Sequence, residues 1–309
     1  MRRHPVISHF VLAYSFSWAV WVPMALAGAR VSLGQAWPTH IAGLFGPITA
    51  AFIMVAVVNG PRGIWSLCRR MSRWRTAVGW YLVAVSPIAL YGGAVAAVAA
   101  LGQDWPDPAK LGMFSGLPAV AVPMMALLLL VASYAEETGW RGFAADELLK
   151  TRSMLWTAVV IGLLWACWHV PSFFVIDNYR EMGLAIVPMF GLGVVSGSIL
   201  LAWLYRGSGG SVLLVALWHT GYNLVSGTAG ASGVPAAVVW TAIVLSAAVM
   251  VVAEATASPR AGAALDADGG RQLSPDGGAV VGGKLEHVPP VRRTVRPVFE
   301  KSPRGEPPS

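Results

Sequence analysis

The sequence is short of charge. Only 12% of its 309 residues are Asp, Glu, Lys or Arg, while 56% are hydrophobic, and together with a mean hydropathy of +0.61 this excludes an ordinary soluble domain. Cysteine is nearly absent. Cys68 falls in a basic connection and Cys167 inside an apolar run, so a disulfide between them is disfavoured, and neither has the spacing of a metal ligand. No H-E-x-x-H occurs, which excludes a zincin-type helix. The serines of "VVSGS", residues 194–198, lack an evident general base and the expected preceding glycine. The net charge of +7 comes without any base-reading motif, so nucleic acid is not an expected partner.

What the chain has instead is apolar length. A helix needs about 20 apolar residues to cross a bilayer, and eight runs approach or exceed that: 6–27, 41–59, 79–101, 117–134, 154–176, 184–205, 211–228 and 234–254. "MRRH" followed by an apolar run and "ALAGA" resembles a secretory signal, but the run has spanning length and reads as an uncleaved first span. The expected fold is all-α, a polytopic membrane protein with a transmembrane domain over 1–257. The Gly-, Pro- and charge-rich remainder, 258–309, has no apolar period and reads as a disordered cytoplasmic tail.

Basic residues load alternate connections, as the positive-inside bias requires. One set holds Arg2, Arg3, Arg62, Arg69, Arg70, Arg73, Arg75, Arg141, Lys150, Arg152 and Arg206; the other holds only Arg30, Lys110 and Arg180. Both termini are therefore expected in the cytoplasm of a multi-pass cell-membrane protein, with membrane lipids as partners. The stretch "NGPRGIWSLCRRMSRWRTAVGWY", residues 59–81, alternates arginines with Ile64, Trp65, Leu67, Met71 and Trp74, and predicts an amphipathic interfacial helix. Gly193 and Gly197 have the spacing of close helix packing. Pro23, Pro47, Pro87, Pro123, Pro171 and Pro188 predict kinks within or near the spans.

Against this background, ionisable groups within spans stand out, because each is costly at bilayer depth and usually faces a cavity or a partner. "SYAEETGWRGF" places Glu137 and Arg141 four apart on one helix face and turns Glu136 away from them. Glu137 then suits an ion pair with Arg141, and Glu136, without a sequence partner, suits a general base. "WACWH" puts Trp165 and His169 on one face, and "HTGYN" does the same for His219 and Asn223. Two uses fit these residues. Glu136 can take a proton from water that one histidine orients, while the other histidine and Asn223 donate to an oxyanion; or Glu136, His169 and His219 can hold a divalent metal such as zinc. The same groups also suit a proton or ion relay in a transporter, although no internal repeat supports one, or the binding surface of a non-catalytic immunity or scaffold protein.

The three motifs in this order resemble those of the CPBP family, the CAAX proteases and bacteriocin-processing enzymes also called Abi proteins. "EETGWR" resembles its E-E-x-x-x-R motif, "WACWH" its aromatic-x-x-x-H motif with Trp165 where Phe is typical, and "HTGYN" its H-x-x-x-N motif; the resemblance covers about 117–228. It implies an intramembrane endopeptidase acting on membrane-associated peptides or proteins, prenylated CAAX-type substrates among them, with a cavity open toward the cytosol. By resemblance Glu136 is the base, His169 its partner on the water, His219 and Asn223 the oxyanion site, and Glu137 and Arg141 its supports, with no metal favoured.

Overall fold

The structure, a computed structural model, describes residues 1–268, with side chains as far as 256. It divides into two units, Met1–Ala253 and Glu254–Ser309. Of the tail expected over 258–309, the first residues belong to the last helix, and 269–309 lie outside the described residues.

The fold is helical, its β-pairing among the described residues confined to isolated bridges. The described residues hold eleven α-helices in order: α1 Pro5–Leu26, α2 Gly46–Met71, α3 Val78–Ala84, α4 Ser86–Ala100, α5 Val122–Gly139, α6 Asp146–Leu148, α7 Met154–Trp168, α8 Asp177–Met182, α9 Val187–Gly207, α10 Val212–Ser226 and α11 Gly233–Asp268. Among the described residues five stretches are long and apolar enough to cross a membrane: Pro5–Leu26, Ile41–Met71, Met154–Phe174, Leu184–Gly207 and Gly233–Thr256. The pair α3 and α4, bent by 56°, passes the same test only when taken as one broken span. The expected fourth and seventh spans are not among them, for different reasons: α5 has its apolar character lowered by two glutamates, and α10 has only 15 residues.

The prolines mostly start helices rather than kink them. Pro47, Pro87, Pro123 and Pro188 occupy the first positions of α2, α4, α5 and α9, and Pro171 opens a 3₁₀ turn. There the missing N–H would have had no intrahelical partner, and the fixed φ already suits a helix. Pro23 alone of the six lies inside a helix. The sharp break is at Gly60, whose φ of 61° and ψ of −152° lie in a region open essentially to glycine. It turns α2 from its spanning half into the basic stretch 61–71. That stretch buries Leu67 and exposes Arg62, Ile64, Trp65 and Arg69, the two-sided character the sequence predicts.

Connections assigned to the same side by their charge also meet in space. Val31 pairs with Ile176, Leu33 with Ser115 and Phe114 with Thr228, and Arg30 and Ser32 both donate to the Asp177 carboxylate. On the basic side Arg73 donates to the Gly209 carbonyl, Tyr134 to that of Met71, and Arg70 lies 3.4 Å from the Asp146 carboxylate.

Candidate active site

The helix that bears the acidic pair does not end with it. After Gly139 the chain widens into a π turn, Trp140–Ala145, and then continues as α6. The glutamates thus lie midway along a helical stretch from 122 to 148, within the bundle rather than at its rim. Its approach to α2 is close: a Cβ on Gly139 would lie 2.5 Å from the Pro47 Cβ and 2.7 Å from its carbonyl oxygen. π turns insert a residue into the helix and recur at functional sites; this one carries Arg141.

Each expected residue can be located. Glu137 is fully buried and its Oε1 accepts from the Arg141 guanidinium at 3.0 Å, as the four-residue spacing predicts. The same oxygen bonds Nδ1 of His219 at 3.0 Å. Glu137 therefore ties α5 to α10, and His219 is oriented with its Nδ1 occupied. Glu136, 4% exposed, points elsewhere, and its Oε2 accepts from the indole N–H of Trp165 on α7 at 2.9 Å. His169, just past the C-terminus of α7, has its Nδ1 2.8 Å from the Trp165 carbonyl. A carbonyl can only accept, so Nδ1 carries the proton and Nε2 keeps its lone pair.

Trp165 joins these groups. Its ring meets His219 edge-on with centroids 5.2 Å apart, lies 5.9 Å from the ring of His169, and has the Arg141 guanidinium 4.9 Å over its face. Such a cation over an indole, removed from water, is worth up to about 2 kcal/mol. The spacing of "WACWH" puts Trp165 beside His169, but nothing local indicates that its N–H reaches Glu136.

A cavity of about 290 Å³ opens beside this cluster, lined by Trp165, His169, His219 and Asn223. The remaining wall is largely apolar, including Met182, Met189, Phe190, Trp218 and Trp240. Gly193 and Gly197 also border it. A Cβ on Gly193 would come 2.8 Å from the Trp240 indole nitrogen, whereas one on Gly197 would meet nothing within 4 Å. The small-residue face of α9 thus serves close packing at one position and opens cavity space at the other. The cavity reaches the connections containing Phe114, Ser115, Asn178 and Gly227, those assigned to the arginine-poor side.

Glu136, His169 and His219 do not converge as metal ligands: among the described residues no three His, Cys, Asp or Glu side chains are grouped to hold an ion. Each also has an atom committed to a protein partner.

Residues 118–225 match the family described as type II CAAX prenyl endopeptidase Rce1-like. A curated relative, CAAX prenyl protease 2 of Methanococcus maripaludis, is 32% identical over 107 residues, 33% of this chain and 39% of the relative. The chain thus spans well under half the length of that relative, and the matched segment holds all six residues considered above.

Proposed function

Because residues 118–225 match the Rce1-like family model, we propose that the protein is an intramembrane endopeptidase of the CPBP family using Glu136 as its general base. The observation that carries this reading is the clustering of Glu136, His169, His219 and Arg141 around Trp165, next to a cavity that Asn223 also lines. In the proposed reaction Glu136 takes a proton from a water that Nε2 of His169 orients. The oxygen adds to the scissile carbonyl carbon, and the resulting oxyanion is held by the Asn223 amide and by Nε2 of His219 in its protonated form. Collapse breaks the C–N bond, and Glu136 returns the proton to the departing amine. Glu137 and Arg141 act on this chemistry only by holding His219 and the helix in place.

The apolar wall of the cavity supports a substrate that arrives in the membrane, a peptide with a lipid or apolar anchor, CAAX-type prenylated chains included. The arginine distribution supports cytoplasmic termini. The test is cleavage of a membrane-anchored peptide by the full chain in vesicles. Glu136→Gln should abolish turnover while leaving the thermal transition in place; unchanged turnover in that variant removes Glu136 from the reaction.

A further inference from the structure

Arginines far apart in the sequence line one open cavity of about 860 Å³. Arg69, Arg70, Arg73 and Arg75 come from the end of α2 and the turn that follows, and Arg206 from the end of α9. Against these five guanidiniums stands one lining carboxylate, Asp146. This cavity is separate from the candidate active site, with which it shares no lining residue.

The five arginines divide into two kinds. Arg70 builds the wall, donating to Ser66 Oγ and to the Gly142 carbonyl, each at 2.9 Å, and facing Asp146. Arg73 donates to the Gly209 carbonyl, and Arg75 lies 5.1 Å over the Trp74 ring. Arg69 and Arg206 are exposed, and their side chains make no hydrogen bond or ion pair among the described residues. Two uncommitted guanidiniums thus border a cavity whose walls other arginines hold rigid. A guanidinium is a fork of donors matched to phosphate oxygens.

The surroundings decide between lipid and soluble anions. Trp65, Trp74 and Val78 are 71%, 59% and 74% exposed in the same stretch of chain. Indoles favour the headgroup level of a bilayer and aliphatic side chains the layer beneath, so this edge lies against lipid. We propose that the cavity binds the phosphate of an anionic phospholipid headgroup, with Arg69 and Arg206 as the guanidiniums that meet it. Through Arg70 and the Gly142 carbonyl the same site touches the π turn that carries Arg141.

The test uses the full chain in lipid nanodiscs of phosphatidylcholine with phosphatidylglycerol, and native mass spectrometry to count retained lipid. The double variant Arg69→Gln/Arg206→Gln should lower phosphatidylglycerol retention about tenfold relative to phosphatidylcholine. Arg62→Gln/Arg152→Gln, which removes the same charge outside the cavity, should retain it. Equal loss in both double variants, or loss in neither, overturns the site. Inorganic phosphate or a glutamate-rich peptide that displaces phosphatidylglycerol at lower concentration than a soluble short-chain phosphatidylglycerol would reassign the cavity to that ligand and overturn the lipid assignment.

Discussion

The indole N–H of Trp165 holds one oxygen of Glu136 at 2.9 Å, both side chains buried and carried by different helices. A phenylalanine in place of Trp165 would keep an aromatic ring but could donate nothing. Trp165→Phe should therefore lower kcat about tenfold to a hundredfold with little change in KM, the equivalent of ~1.5–3 kcal/mol for a hydrogen bond to a charged acceptor. Steady-state cleavage in vesicles measures this, and an unchanged kcat would show that Glu136 is oriented without the indole.

Arg141→Met leaves the Glu137 carboxylate buried with His219 as its remaining partner. Removing one member of a buried ion pair costs about 3–5 kcal/mol. The variant should unfold at clearly lower temperature than Glu136→Gln, whose lesion is chemical. Thermal unfolding in detergent compares the two; equal melting temperatures would mean that the Glu137–Arg141 pair contributes no net stability.

Gly60→Ala should cost about 1–3 kcal/mol, because its φ of 61° with ψ near −152° is strained for any residue with a Cβ. The loss should appear as a lowered melting temperature together with greater protease sensitivity of the basic stretch 61–71. An unaltered stability would indicate that the break tolerates ordinary backbone angles.

Asp177 joins the connection at Arg30 and Ser32 to the start of α8, with Ser32 Oγ 2.5 Å from its carboxylate. Its partial burial favours the neutral acid, but hydrogen bonds from Ser32 and Arg30 and the charges of Arg30 and Arg180 outweigh it, so the carboxyl is held below the usual aspartate range. A group bound more tightly when ionised stabilises the fold above its unfolded pKa and loses that contribution as pH falls through the folded one. Asp177→Asn should thus cost at most about 1 kcal/mol near neutrality, since Arg30 is half exposed to solvent. The difference should vanish in acid. A gap between the two melting curves that persisted below the titration range would contradict this origin.

If the arginine-rich connections face the cytoplasm, Met182, a half-exposed lining residue of the cavity on the arginine-poor side, faces the other way. In intact cells a membrane-impermeant thiol reagent should then label Met182→Cys and spare Arg206→Cys, both placed in a chain whose two native cysteines are replaced. The reverse pattern would put Met182 on the cytosolic side and overturn the charge-based orientation.

What the sequence makes legible is mostly local. Glu137 and Arg141 are four apart on a helix, so their pairing follows from helical geometry; of the amphipathic helix expected over 59–81, only 61–71 is helical in this way, exposing Trp65 and burying Leu67, and the chain turns after Met71 before α3 begins at Val78. Contacts between distant segments are not encoded in spacing. The bond of His219 to Glu137, that of Trp165 to Glu136, and the gathering of Arg206 with Arg69 all depend on how helices cross. Hydropathy alone also does not show which apolar residues of α5 and α10 pack inside: Met125, Leu129, Leu214 and Val215 are buried against other helices, while Leu127 and Val131 are exposed.

The contact of Gly139 with Pro47 bears on how this protein could be modified. The backbone of α5 rests there on the ring and carbonyl of Pro47, so the height of the acidic pair is referenced to the start of α2 and not to any long, flexible side chain. Lipid-facing positions such as Leu127 and Val131 could be exchanged to suit membranes of different thickness without displacing the carboxylates, whereas even one added methyl at 139 would shift them.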